Sequence, residues 1–537
     1  MNKRTASGYR LILGYWGIFI ALTGLIELLP LAMLAFYPSE ARCWLDFAIP
    51  GFASIILGLS LFFAFLFKAE KGRLEKHQDN VLLVLIWLYA VAVGALPFYL
   101  SGLIEPSAFN EATHQAYTYS EAFFESVSGY GTCGLSIFRD YLDQASFAYC
   151  SHVFLFYRSL TQFFGGVGLV LIVASAFSDR YGIKLYFAEG HNDRLLPNLA
   201  KSAKLILSIY TGYIVLGTFS LWLCGLDWFE ALNHSIAALA TGGFSTRSTS
   251  ITYFVSDANQ YSGNGIMPYS EFGVEGVLCV LMILGATSFV LHMNLLTGKW
   301  KKFFKDCEVR FFFVFGSMAL LLMTIGVANQ WESVGTSWGS AFQLSLFQLV
   351  SCITTTGFAN VANIVSLGNA ALFLSVIAMT IGGGMGSTAG AIKQYRIVVV
   401  LKELHWDFKY RLAPSRMMYP RTITRAGETR EIDNEEFRSS SLYVLLYLGV
   451  LAAGSLAISF LPGLNYQEGV FEFASGLSET GTTIVDFLAY KGSHDPVSYN
   501  ALLWILSFAM FIGRFEITPV YFAVYRGIRD VFHKETV

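Results

Sequence analysis

Four short stretches of this chain end on small residues in one shared pattern: Thr132-Cys133-Gly134-Leu135, Thr241-Gly242-Gly243-Phe244, Thr355-Thr356-Gly357-Phe358 and Glu479-Thr480-Gly481-Thr482. The aligned glycines stand 109, 114 and 124 residues apart. Each stretch follows an amphipathic segment of about 11 residues, too short to cross a bilayer as a helix. The chemistry such loops can do belongs to the backbone. Glycine reaches φ > 0 without a Cβ clash, and a ring of carbonyl oxygens can replace the water shell of a cation. A half-helix ahead of each loop aims its partly negative C-terminal end at the same point. A single copy would read as ordinary small-residue helix packing. Four copies in phase read as a pore lined by residues 132–134, 241–243, 355–357 and 479–481, with a cation held by the backbone of Cys133, Gly242, Thr356 and Thr480.

These loops need a frame, and the composition supplies one. Of 537 residues 54% are apolar and only 14% charged, with 47 Phe and 10 Trp. Mean hydropathy is +0.52. That balance excludes a disordered chain and disfavours a multidomain soluble enzyme. The net charge of -2 gives no sign of a nucleic-acid partner. Apolar runs near 11–37, 46–67, 81–104, 147–177, 204–226, 272–296, 311–329, 367–400, 440–462 and 499–525 predict ten spans. The first run is too long for a leader core and reads as a span. On the side of the termini lie thirty basic residues, against Arg42, Arg139, Arg247 and Lys491 opposite. This asymmetry predicts that both termini are cytoplasmic. Each unit of span, half-span, loop and span then recurs four times. The predicted fold is an all-α polytopic membrane protein, four span–pore-helix–span repeats around a central pore plus two extra N-terminal transmembrane helices. The divisions fall at 1–80 for the extra pair, then 81–203, 204–310, 311–438 and 439–537.

Seven scattered cysteines without a C-x-x-C pair indicate neither a disulfide framework nor a zinc site. No paired His, paired Asp or Ser/His set lies at membrane depth, so no catalytic residue is assigned.

The eighth span is interrupted by Gly382-Gly383-Gly384-Met385-Gly386-Ser387-Thr388-Ala389-Gly390. Each glycine costs about 1 kcal/mol in a helix interior relative to Ala, and non-helical backbone at this depth must be shielded or line a wet cavity. The stretch is predicted to lie in the pore, inward of the carbonyl loops, as a movable barrier; a small-residue packing interface is the plainer alternative. Arg514, placed near the centre of the last span with Glu516 close by, is expensive there and by default functional or paired. Lys393 and Arg396 follow the glycine-rich run and read either as its anchor or as ordinary basic flanks. Arg158 is expected to pair with an acid near the outer side. Glu121, Glu125, Asp227, Glu230, Glu468 and Glu472 are read as helix N-terminal carboxylates.

Together with RSLTQFFGGVGLVLI (158–172), SFVLHMNLL (288–296), IGGGMGSTAGAIKQYR (381–396) and FIGRFE (511–516), the four loops give the chain its resemblance. It resembles the Trk/Ktr/HKT superfamily of potassium transporters, most of all the TrkH/TrkG branch, over nearly its whole length. The extra helix pair at 11–37 and 46–67 also fits that branch. The resemblance implies a bacterial cytoplasmic-membrane protein taking up K+ through a selectivity filter, with no bound organic cofactor. It implies gating by Gly382, Gly383, Gly384, Gly386, Ser387 and Gly390 together with Lys393 and Arg514. It also implies a homodimer seated on a cytoplasmic TrkA-like ring of nucleotide-binding subunits. Gly134, where sodium-selective plant relatives carry Ser, favours potassium.

Glu479 departs from the neutral pattern of the branch. It either braces the loop from behind or stands near the ion path and weakens discrimination. A hundredfold ion preference is only about 2.7 kcal/mol. A sodium or weakly selective cation pathway is therefore one alternative; the potassium-translocating subunit of an ATP-driven pump is another. The inner segment 401–438 carries eight basic residues, and 418–432 predicts a hairpin. It is a candidate docking surface for the ring, or a contact with anionic membrane lipid. No strand-to-helix G-x-G-x-x-G fingerprint or phosphate-binding G-x-x-x-x-G-K-[ST] loop is present, so nucleotide regulation would come from a partner.

Overall fold

The computed structural model describes residues 5–6, 8–67, 69–71, 77–104, 117–138, 151–168, 199–255, 261, 263–331, 337–412 and 420–532. Among these, seven helices are long and apolar enough to cross a membrane: Tyr9–Ala35, Pro38–Phe65, Gln78–Ser101, Lys201–Leu223, Cys307–Gln330, Asn434–Ser459 and Pro496–Arg514. An eighth span is a bent pair, Glu271–Gly285 and Phe289–Leu296, turning through 114°.

Of the ten predicted runs, the eighth is interrupted as expected, and the sixth and tenth are broken as well. The run 272–296 bends at Ala286-Thr287-Ser288. The run 367–400 is two helices, Asn369–Ile381 and Gln394–Leu412, separated by the glycine-rich loop. The run 499–525 breaks after Arg514, where Glu516 and Ile517 take φ of 54° and 61°, and a new helix runs Thr518–Phe532. Arg514 thus closes a helix rather than occupying the middle of one. Of the run 147–177, the helix His152–Val167 is seen; residues 169–177 lie outside the described part, as do 418–419 of the hairpin segment.

The first two spans pack backbone to backbone. A Cβ on Gly17 would sit 2.6 Å from the Gly58 carbonyl oxygen, and one on Gly24 would overlap that of Gly51. Small residues allow this approach, and in lipid such packing is what holds helices together. Tyr157, Phe98, Phe154 and Phe47 then join this pair to the first repeat through ring contacts.

Four half-helices follow: Tyr119–Gly131, Trp228–Leu239, Trp338–Ile353 and Tyr466–Ser478. Each has a side-chain cap. Thr118 with Glu121 and Asn465 with Glu468 form capping boxes, while Asp227 and Ser337 accept single backbone N–H bonds. Such caps are worth about 1 kcal/mol each, and they fix where the half-helices begin. Away from the spans, strands Thr422–Arg425 and Glu428–Glu431 pair antiparallel. Ala426 and Gly427, with φ of 53° and 85°, make the tight turn. The Asp306 carboxylate accepts the Ala426 N–H at 2.7 Å and ties the hairpin to the protein.

Candidate functional site

The four half-helices end identically. Thr132, Thr241, Thr355 and Glu479 each adopt the left-handed conformation, with φ of 58°, 51°, 53° and 62°. The next residue's N–H then turns back to a carbonyl five positions earlier: Cys133 to Ser128, Gly242 to Ala237, Thr356 to Ser351 and Thr480 to Ser475, all at 2.9 Å. This closure satisfies carbonyls that a helix end leaves orphaned. The third residue is glycine at positive φ each time, from 68° to 91°.

Those glycines interlock in chain order. A Cβ on Gly134 would overlap the carbonyl oxygen of Gly242, one on Gly243 that of Thr356, one on Gly357 that of Thr480, and one on Gly481 that of Cys133. The four loops therefore form a closed ring, and the oxygens facing the glycines belong to the four residues singled out as backbone ligands. Above the ring lies a polar cavity lined by all four glycines, Ser136, Arg158, Ser245 and Arg247.

On the opposite side the ring is covered by the interrupting loop, 382–393. Gly382 and Gly386 have φ of 73°, and the non-glycine residues Ala391 and Lys393 have 69° and 79°. The loop is almost wholly buried, as backbone without helical pairing must be at this depth. It docks through the residues that cap the half-helices. Thr241 Oγ1 donates to Thr388 Oγ1 at 3.0 Å, and Thr355 Oγ1 accepts from the Gly390 N–H at 2.8 Å. A Cβ on Gly390 would lie 2.9 Å from Glu479 Oε2. The far side of the loop is tied to the bent span and its neighbour: Gly384 N–H to the Ala286 carbonyl and Met385 N–H to Glu308 Oε1, at 2.9 and 2.8 Å.

Between the loop and the end of the helix Pro496–Arg514 lies a small polar cavity of about 30 Å³, lined by Ser387, Gly390, Lys393, Glu479, Arg514 and Glu516, among others. Arg514 Nη1 stands 3.5 Å from Glu479 Oε2, and Nη2 donates to the Gly165 carbonyl. Lys393 Nζ donates to the Ala389 carbonyl, and Arg396 pairs with Glu516. Glu479 Oε1 is buried and has no hydrogen-bond partner. Its carboxylate faces this inner cavity and Arg514, rather than bracing the loop from behind.

The model of the TrkH family, described as cation transport proteins, matches residues 51–526. The chain belongs to the TrkH family. It is 29% identical to an uncharacterized cation transporter of Methanocaldococcus jannaschii, over 97% of this chain and 95% of that protein. It is 28% identical to the Trk system potassium uptake protein TrkH of Escherichia coli strain K12, over 84% and 85%. The crystal structure of the potassium transporter TrkH from Vibrio parahaemolyticus superposes with a TM-score of 0.76 at 23% identity, covering 96% of this chain and 98% of that one. That likeness supports the fold.

Within this TrkH-family chain, sequence reasoning misplaced two acids. Glu125 and Glu472 are not helix N-terminal groups; they are buried mid-helix and hold the loops. Glu125 accepts from Ser136 Oγ, the Ile137 N–H and Arg158 Nε, the last at 2.7 Å. Glu472 accepts from Thr483 Oγ1 and the Ile484 and Val485 N–H groups. The equivalent residue in the second repeat, nine before the ring glycine, is His234, whose Nε2 meets Ser245 Oγ at 2.9 Å. In the third it is Gln348, opposite Ala359, so the hydroxyl contact is lost there. Arg158 does pair with an acid, as expected, and also donates to the Ser245 carbonyl at 3.0 Å.

Gln162 received no role from the sequence, yet its Nε2 donates to the Gly242 carbonyl and its Oε1 accepts the Phe244 N–H. The signal was a buried-type polar residue inside the glycine-rich motif at 158–172. Thr388, inside the glycine-rich run, also carries no local signal of its bonds to Thr241 and the Gly285 carbonyl. Thr132, alone of the four capping residues, has a hydroxyl without a partner.

Proposed function

We propose that this protein takes up potassium across the cytoplasmic membrane through a gated, carbonyl-lined selectivity filter. The observation that carries the reading is the closed ring of glycine–carbonyl contacts, Gly134 to Gly242, Gly243 to Thr356, Gly357 to Thr480 and Gly481 to Cys133. A dehydrated cation needs several oxygens at once, and each of the four loops contributes one carbonyl to the ring. The potassium assignment is supported by the names of the relatives above. The ion moves down its electrochemical gradient, and the 382–393 loop is the barrier.

In this reading the barrier is held by Thr241, Thr355 and Glu479 above, and by Arg514, Lys393 and Glu516 around the cavity. A positive charge beneath a cation filter opposes passage. Arg514 must therefore stay paired with Glu479 or move away with the loop. Both termini face the cytoplasm, two chains associate, and a cytoplasmic nucleotide-binding ring docks on the basic segment bearing the hairpin. Loss of ring binding on deleting 418–432 is the expected result; unchanged binding would remove that surface from consideration.

A second reading, a weakly selective cation pathway, is favoured by one fact: Glu479 Oε1 is a buried carboxylate oxygen with no partner. Flux measurements in proteoliposomes decide between the two. Fast K+ and Rb+ flux with little Na+, abolished by Gly357→Ala, supports the filter. That substitution puts a methyl group into the Thr480 carbonyl and strains a left-handed backbone at about 1 kcal/mol or more. Comparable Na+ flux would support the weakly selective pathway. Flux unaltered by Gly357→Ala would overturn the carbonyl ring as the ion path.

A further inference from the structure

A cleft separate from the ion path opens behind the interrupting loop. It lies between the bent span and the helix Cys307–Trp331, and its walls are Ile283, Leu291, Val309, Phe312 and Phe313. Its floor is Gly384 with Glu308 and Gln394, the same groups that anchor the loop: Glu308 holds the Met385 N–H and Gln394 Nε2 donates to the Gly382 carbonyl. The cleft has a volume of about 100 Å³, its lining is mainly apolar, and the exposed Phe313 stands at its edge.

The rim of this cleft has a distinct chemistry. The short helix Trp300–Lys305 contributes Phe303 to the cleft and leaves Trp300 and Phe304 more than half exposed. Lys299, Lys301 and Lys305 are exposed beside them. Aromatic rings alternating with lysines are the composition of a segment lying at headgroup depth. An apolar slot beside a short helix that carries exposed lysines suits a long hydrocarbon chain joined to a phosphate.

We propose that this cleft binds one acyl chain of an anionic phospholipid, with the headgroup on Lys299, Lys301 and Lys305 and the chain against the loop's anchoring groups. The proposal rests on the membrane and barrier-loop reading above. A lipid seated there contacts the wall that holds Gly384 and Met385, so its presence stabilises one position of the loop over another. Near a membrane surface each lysine attracts an anionic lipid by about fivefold in occupancy.

The test uses the full chain in phosphatidylcholine nanodiscs containing a trace of phosphatidylglycerol with a diazirine in the acyl chain. The expected label falls on Ile283, Leu291, Val309 and Phe312. It exceeds that from the matching phosphatidylcholine probe by about fivefold or more. Ile283→Trp, which fills the slot, is expected to abolish labelling there. The triple Lys299→Gln, Lys301→Gln, Lys305→Gln variant, altered only on the surface, should bring the two probes to parity. Equal labelling by both probes in the unaltered protein overturns the proposal, as does label spread along the exposed span faces. A copy-to-copy cross-link at Phe313 in place of lipid would also overturn it. Labelling requires no transport, so its failure is separable from failure of the uptake reading.

Discussion

The hydroxyl of Thr355 accepts a hydrogen bond from the Gly390 N–H at 2.8 Å. One residue thus makes the left-handed turn after a half-helix and holds the loop that covers the ring. Thr355→Val keeps the shape and removes the acceptor. It leaves a buried N–H unsatisfied at about 1–3 kcal/mol, and only in the docked position. We expect basal Rb+ flux to rise about fivefold or more, with ion preference unchanged. No rise in flux would mean that the contact does not restrain the loop.

Glu479 and Arg514 provide a second expectation. Glu479→Gln removes the charge 3.5 Å from the guanidinium and leaves an uncompensated cation beneath the ring. Breaking a buried pair from one side costs about 3–5 kcal/mol. Flux should fall at least tenfold, an effect of about 1.4 kcal/mol. Adding Arg514→Gln in the same chain should recover most of it. Strictly additive losses in that double-mutant cycle would rule out coupling between the two residues.

Gln162 grips the second loop at both the Gly242 carbonyl and the Phe244 N–H. Gln162→Leu is expected to loosen that quarter of the ring and lower the Rb+/Na+ flux ratio about tenfold, with less effect on Rb+ flux itself. A preserved ratio would show that the glycine–carbonyl contacts alone fix the loop.

Stability should depend on the pair Glu125–Arg158, joined at 2.7 Å and buried on both sides. Glu125→Gln strands the guanidinium, and thermal unfolding in detergent should begin well below that of the parent. Replacing both residues with Met should cost less than the single change, because no charge is then left unpaired. A double variant weaker than the single would contradict this.

Much of the site was legible in the sequence because the bilayer restricts what a chain can do. A segment too short to span, ending in glycine four times in phase, has few physical solutions, and the ring at 134, 243, 357 and 481 follows. The glycine-rich interruption at 382–390 was legible for the same reason. What escaped was whatever depends on a partner distant in sequence. Gln162 lies 80 residues from Gly242, and periodicity carries no trace of that bond. Glu125 and Glu472 were read from their nearness to helix starts, whereas their roles come from loops 11 to 13 residues onward. The breaks in the sixth and tenth spans were hidden because Ala286-Thr287-Ser288 and Phe515-Glu516-Ile517 hold neither Gly nor Pro.

The four capping positions hold three threonines and one glutamate. Four identical subunits around an axis would have to repeat any carboxylate four times, concentrating negative charge beneath the ring. A single chain that folds into four unequal quarters escapes that constraint. It can place one acid in one quadrant, answer it with one arginine from the neighbouring helix, and leave the other three quadrants neutral. Broken symmetry is what lets one quadrant of the ring carry a charge pair that the other three lack.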